Sequence, residues 1–211
     1  MLNCDCMNYM ASLPDKAFEL AIVDPPYGIG ITGECMGGRK TIKPDKTKTW
    51  DNETPTQEYF DELFRVSKNQ IIWGGNYFTL PVSRYFAIWD KGETMYGRDF
   101  AEAEYAWVRS GGTRICKESP NQLNRIHSTQ KPVALYKWLL SRYANPGDRI
   151  LDTHGGSGSI CIACHDLGYD LTWMELDEDY YKAACERYKT HASQATLFEP
   201  IVVQPKEQGL F

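Results

Sequence analysis

Leu20-Ala21-Ile22-Val23-Asp24-Pro25-Pro26-Tyr27 is an apolar run that stops on an acid, two prolines and an aromatic ring. Four apolar residues in a row, with no polar alternation, read as a short parallel strand buried on both faces. Asp24 to Tyr27 then sit where that strand ends, and open α/β sheets bind ligands outside the carboxyl ends of their strands. Prolines lack an N–H and hold φ fixed, so this backbone presents stiff carbonyls free to accept hydrogen bonds. A carboxylate beside a rigid carbonyl can take the two N–H groups of an exocyclic amine while the Tyr27 face stacks on the ring that bears it. The competing reading is a surface turn in which the prolines only stop a strand.

A second stretch has the same form. Asn145-Pro146-Gly147-Asp148 is a turn, Arg149-Ile150-Leu151-Asp152 is a strand ending on an acid, and a glycine loop follows through Gly155, Gly156 and Gly158. Those glycines let backbone approach a ligand closely ahead of a helix. Glu175, closing the strand Leu171-Thr172-Trp173-Met174, can accept hydrogen bonds from ribose hydroxyls. The loop spells Gly-Gly-Ser-Gly-Ser, not the GxGxxG of dinucleotide sites.

Residues 3–27, with DPPY at 24–27, and residues 127–188, with HSTQKP, LDTHGGSGS and WMELDEDYYKAACERY, together resemble the S-adenosylmethionine-dependent methyltransferases that act on amino groups of DNA bases. With DPPY first and the glycine loop last, the order is that of the family's β class. The resemblance implies S-adenosylmethionine as cofactor, with Asp5 or the Cys6 N–H at the adenine edge and Glu175 at the ribose. It puts Asp152, His154, Gly155, Gly156 and Gly158 near the methionine part, and Thr129 and Lys131 near the methionine carboxylate. It implies Asp24, Pro25, Pro26 and Tyr27 as the catalytic set, acting on N6 of an adenine flipped out of double-stranded DNA. No metal is implied. Cytosine N4 is the alternative target, because the family mostly writes DPPY for adenine and SPPY for cytosine. A non-catalytic nucleic-acid-binding subunit with a vestigial methyltransferase fold is the alternative from another class. Asp5 and Asp177 also read as helix N-caps, and Lys131-Pro132 as a helix start. Where the family writes Asp-Pro-Phe this chain has Asp152-Thr153-His154, and His154 reads as a flat ring filling an aromatic slot or as a general base.

The chain has 211 residues, enough for one domain with a substantial core. It shows no membrane-length apolar run and no amino-terminal signal segment, so a cytoplasmic location is expected. Seven cysteines without a disulfide framework suit a reducing compartment. Cys161-Ile162-Ala163-Cys164-His165 spells CxxCH, but falls inside the helix expected after the glycine loop, where core cysteines are the better reading. The net charge of −5 argues against a general nucleic-acid binder. Basic groups nevertheless gather in two segments, which suits one phosphate-facing side: Arg39, Lys40, Lys43, Lys46 and Lys48, and again Arg109, Arg114, Lys117, Arg125 and Lys131.

Strands are expected at 2–4, 20–24, 70–73, 85–89, 104–108, 149–152 and 171–174, and helices near 56–67, 133–144, 158–167 and 178–190. That alternation implies a doubly wound, mostly parallel α/β sheet of seven strands. By the resemblance it is a circularly permuted, Rossmann-like methyltransferase sheet, with 149–152 beside 20–24. Residues 1–211 read as a single methyltransferase domain, with 28–55 a mobile substrate loop, 109–128 a target-recognition insert and 192–211 an extended tail. Trp50 reads as a base stack or a cap on the core. The short insert suggests help from a partner subunit, as in a homodimer. Gln194-Ala195-Thr196-Leu197-Phe198 resembles the Q-x-x-L-F peptides that dock on the sliding clamp; otherwise Leu197-Phe198 folds back as core cover.

Overall fold

The computed structural model describes residues 1–31, 49–99, 101–120 and 125–194. Arg39, Lys40, Lys43, Lys46, Lys48 and the clamp-like tail beyond Gln194 lie outside the described residues. The elements run β1 (Leu2–Asn3), α1 (Cys6–Ala11), β2 (Phe18–Val23), α2 (Gln57–Val66), β3 (Ser67–Trp73), β4 (Tyr85–Asp90), β5 (Ala103–Val108), β6 (Arg114–Lys117), α3 (Val133–Tyr143), β7 (Arg149–Asp152), α4 (Ser159–Leu167), β8 (Asp170–Glu175) and α5 (Glu178–Ala192). They build one sheet in the order β1-β8-β7-β2-β3-β5-β4-β6. From β1 through β3 every pairing is parallel; β5 runs antiparallel to both β3 and β4.

Alternation along β2 shows how the helices cover both faces. Leu20 and Ile22 enter a core with Leu135 and Leu139 of α3 and Ile160 of α4. Ala21 and Val23 face the opposite way, towards Met10 of α1 and Tyr59, Phe60 and Leu63 of α2. A strand buried on both faces cannot alternate in polarity, which is why 20–23 reads as a continuous apolar run. The register Leu20↔Ile150 and Ala21↔Leu151 sets β7 beside β2, as the resemblance implies. From β2 the chain winds outward to β3, and from β7 it winds the other way to β8, so the two strand ends flank a topological switch point.

Two elements depart from the expected map. Among the described residues the sheet has eight strands, because part of the insert forms the edge strand β6, parallel to β4 with Ala87↔Arg114 and Asp90↔Lys117 in register. Its residues Arg-Ile-Cys-Lys are mostly exposed, so burial left no apolar signature there. The short helix α1 was also absent from the expected helices, and its only buried residue is Met10. Among the described residues, no helix is long and apolar enough to cross a membrane.

Candidate active site

A cavity of about 600 Å³ opens at the carboxyl ends of β1, β2, β7 and β8, and its wall includes Asp5, Cys6, Asp24, Thr129, Lys131, His154, Gly155, Gly156 and Glu175. These residues come from opposite ends of the chain and meet because β1, β8, β7 and β2 are neighbours in the sheet. A smaller depression of about 260 Å³, with Phe18, Arg149 and Asp170 in its wall, lies at the amino ends of β2, β7 and β8.

Asp24 follows the last residue of β2, and both of its oxygens are engaged. Oδ1 accepts the Tyr27 hydroxyl at 2.6 Å, and Oδ2 accepts the Lys131 ammonium at 2.5 Å. Lys131 also lies 3.3 Å from Glu104 of β5, which in turn pairs with Lys91 at 2.7 Å. The result is an alternating line of charges, Asp24–Lys131–Glu104–Lys91. Lys131 is nearly fully buried, which alone would favour its neutral form. The charges of Asp24 and Glu104 outweigh that desolvation and raise its pKa. Burial raises the Glu104 carboxyl while Lys131 and Lys91 lower it, with a net lowering. Lys131, expected near a cofactor carboxylate, lies in the cavity wall and also pairs with two carboxylates of its own chain. Glu104 and Lys91 gave no sequence signal, since an acid on a strand has no spacing that announces its partner.

Tyr27 is held through both its ring and its hydroxyl. One ring face is stacked on Tyr77, with centroids 4.8 Å apart and planes at 8°. Gly74, at φ +66°, packs so close that a Cβ there would come within 2.3 Å of Tyr27 Cε1. Held in this way, Tyr27 gives its hydroxyl to Asp24. Burial, then the charges of Asp24 and Glu104, push the phenol well above its usual range, so it stays a proton donor. A hydrogen bond to a charged acceptor contributes about 1.5–3 kcal/mol, so Tyr27→Phe should lower single-turnover methyl transfer by roughly 10- to 100-fold if that stabilisation is felt mainly in the transition state. Wild-type rates in Tyr27→Phe would show that the hydroxyl is idle.

The glycine loop divides its labour. Gly155 is required by packing, because a Cβ there would meet Trp173 at 1.8 Å. Gly158 sits at φ +66° as the N-cap of α4, against Ala184. Gly156, at φ +51°, lines the cavity and donates its N–H to Glu175 Oε2 at 2.7 Å. Glu175 Oε1 accepts the Asp177 N–H at 2.8 Å, so this acid ties the loop to β8 and keeps lone pairs for a ligand. Asp152 is 2 % exposed and lies behind the cavity wall, accepting the His154 N–H at 3.1 Å; burial pushes its carboxyl well up. Asp5 lines the cavity and also caps α1, accepting from Met7 N at 2.7 Å and Asn8 N at 3.2 Å. Its N-cap reading is thus seen directly, and Asp177 likewise caps α5 as expected.

Thr153 and His154 replace the family's proline and aromatic ring with a hydrogen-bonded pair. Thr153 Oγ1 lies 2.7 Å from the Tyr59 hydroxyl and 3.0 Å from His154 Nδ1, and the His154 ring stands edge-on to Tyr59. Burial pushes His154 down to about 4, and burial together with Lys131 does the same to His127. Both rings are therefore neutral at pH 7, which weighs against His154 as a base that works by cycling its charge. In the unfolded chain they titrate near 6.5, so the unfolded state binds more protons between about pH 6.5 and 4. Stability should fall as pH drops through that window, by on the order of 3 kcal/mol per ring, and His154→Phe should flatten the slope. Calorimetry showing level stability from pH 7 to 4.5 would contradict this.

The remaining basic candidates are dispersed. Arg114 and Lys117 lie on β6, four strands along from β2 and about 19 Å away at the usual strand spacing, and three residues apart they point to opposite faces. Lys117 pairs with Glu93 at 3.0 Å. Arg125 donates to the carbonyls of Pro120 and Gln130. Trp50 packs on His127 with centroids 5.1 Å apart and lines the cavity. Cys161 and Cys164 are buried in α4, and burial pushes both thiols up. Away from the cavity, His165, Asp166 and His191 bring ligand-type atoms within 4.8 Å of one another, but the Lys137 ammonium, 2.7 Å from Asp166 Oδ2, already supplies the cation there.

A family model described as DNA methylase matches residues 99–186. A putative methylase of Escherichia coli K12, YubD, is 28% identical over 205 residues, covering 87% of each chain. These matches support an N6/N4 DNA amino-methyltransferase family for the chain. Among solved structures of this fold, M1.HpyAVI in complex with SAM superposes with a TM-score of 0.57 at 19% identity, covering 88% of this chain and 96% of that one. The cytosine-N4-specific PvuII DNA methyltransferase superposes at 0.55 with 12% identity, covering 88% and 84%. The fold is thus compatible with a cytosine-N4-specific sheet, and the family match alone does not choose the base.

Proposed function

We propose that this chain transfers a methyl group from S-adenosylmethionine to the exocyclic N6 of adenine in DNA. The observation that carries the reading is Asp24 at the end of β2, in the wall of a cavity shared with the glycine loop of the adjacent β7. The residues fit the cofactor. The cavity volume lies in the range of small-molecule sites, and its wall combines carboxylates that accept from hydroxyl and amino donors with an open backbone at Gly156. Asp5 and Cys6 would meet the adenine edge, Glu175 the ribose, and Thr129, Gly155 and Gly156 the methionine part. When bound, the cofactor supplies a methyl group already activated by its sulfonium.

The chain's own task is the nucleophile. An aromatic amino group is weak because its lone pair is delocalised into the ring. Hydrogen bonds from its two N–H groups to Asp24 and the Pro25 carbonyl favour a tetrahedral nitrogen and localise that pair. Tyr27 and Lys131 fix the carboxylate in advance, so no reorganisation is needed as the reaction proceeds. Asp24 then stabilises the positive charge developing on nitrogen, an electrostatic role. Alignment for in-line displacement supplies much of the rest. Inside a duplex the amino group is out of reach, so the base must leave the stack.

The Asp-Pro-Pro-Tyr spelling supports adenine, and the PvuII enzyme's fold keeps cytosine N4 as the second reading. Nucleoside mass spectrometry and methylation-sensitive sequencing of DNA from expressing cells should show N6-methyladenine at one short sequence. N4-methylcytosine would move the assignment to the second reading, and unmodified DNA would overturn both. A homodimer, and clamp docking by Gln194–Phe198, remain proposals beside this one.

A further inference from the structure

Asp51 is 2 % exposed and is absent from the reaction described above. Its carboxylate is wrapped by the backbone that follows the catalytic tetrapeptide. Oδ1 accepts the N–H groups of Tyr27 at 2.7 Å and Gly28 at 3.1 Å, and Oδ2 accepts that of Ile31 at 2.8 Å. The Asp51 carbonyl takes the Gly30 N–H at 3.0 Å. Gly28 and Gly30 adopt φ +69° and +70°, conformations that help turn successive N–H groups inward as an anion nest.

The chemistry of the tetrapeptide gives this nest its meaning. Pro25 and Pro26 have no N–H, so Tyr27 carries the first backbone donor after Asp24. That donor goes to Asp51. Asp51 thereby fixes the Tyr27 backbone, the ring stacks on Tyr77 and lies close to Gly74, and the hydroxyl reaches Asp24 Oδ1. The neighbouring Trp50 packs on His127, which lies 4.4 Å from the Tyr180 ring across the cavity wall.

We propose that Asp51 is a positioning residue for methyl transfer, acting through Tyr27 to set the Asp24 carboxylate. The inference rests on the amino-methylation reading. Asp51→Asn keeps the shape but turns one acceptor into a donor facing a backbone N–H. It should lower kcat at least about tenfold while the dissociation constant for S-adenosylmethionine stays within about twofold. A merely structural role would multiply with the loss of the Tyr27 hydroxyl, whereas a role through Tyr27 would not. The Asp51→Asn/Tyr27→Phe double variant should therefore be no slower than Tyr27→Phe alone within about twofold. Fully multiplicative losses would overturn the proposal, as would an Asp51→Asn enzyme within about twofold of wild-type kcat. If Asp51→Asn fails to fold, Gly28→Ala serves in its place. It strains the same nest with Asp51 intact, since the new Cβ would meet Thr54 N at 3.2 Å at a positive φ. Gly28→Ala should show the same kcat loss and the same lack of multiplication with Tyr27→Phe, and wild-type kcat in it would overturn the proposal. Wild-type protein inert towards DNA would overturn the function and this inference with it, while an active wild type leaves the variants to judge Asp51 alone.

Discussion

Asp24→Ala is expected to lower methyl transfer to DNA by about a thousandfold, the upper end of what one preorganised electrostatic group contributes. Three losses combine in that substitution. The acceptor for an amino N–H goes, the charge facing the developing ammonium goes, and Lys131 keeps only Glu104 as a close partner. Cofactor affinity should change little, because the carboxylate serves the target amine. Asp24→Asn should also be severely impaired, since it keeps the shape without the charge. Equilibrium binding of S-adenosylmethionine beside single-turnover methylation separates these claims. A variant retaining more than a few per cent of wild-type turnover, with binding intact, would show that Asp24 is not the group that activates the amine.

Lys131→Met should be the most destabilising single change in the site. Removing one partner from a buried charge pair leaves an uncompensated charge, at a cost of about 3–5 kcal/mol. Here Asp24 would lose its ammonium and Glu104 would keep only Lys91. For a domain of this size that corresponds to a fall in Tm of about 6–20 °C. The Lys131 pKa is raised, so its contribution is fully present below its unfolded value near 10.4 and is lost only as pH rises through the folded value. The Glu104 pKa is lowered, so its contribution is present above its unfolded value near 4.3 and is lost as pH falls through the folded value. The pair should therefore give a flat profile across neutral pH, unlike the two histidines. Adding Asp24→Asn to Lys131→Met should restore part of the loss, because the orphaned charge is gone. A double variant less stable than Lys131→Met would show that the ion pair is not the cause.

Much of the frame was legible in one dimension because its signals are local. A strand buried on both faces must be a continuous apolar run, so 20–23 and 149–152 announce themselves. A chain that leaves a strand into a ligand site needs an acid, prolines or glycines at that joint, and 24–27 and 152–158 carry them. The strand β6 escaped because an exposed edge strand needs no apolar residues, and α1 because its single buried side chain makes no period. Thr153 and His154 looked like a departure from the family pattern. In three dimensions they form a hydrogen-bonded pair completed by Tyr59 of α2, a residue 94 positions away in sequence from Thr153.

What the sequence determined by itself was the α/β class, the two strand ends that flank the cavity and the Asp24 carboxylate in its wall, all set by short-range patterns of burial and backbone freedom. Tertiary structure alone decided the assignments that depend on where a charge or a ring is held. Lys131 pairs with Asp24 across 107 positions, Glu104 and Lys91 complete the line, Tyr27 gives its hydroxyl to Asp24, and Asp51 gathers the N–H groups that follow the prolines. Electrostatic and hydrogen-bonding partners are chosen by distance in space, and the spacing of residues along a chain does not encode it.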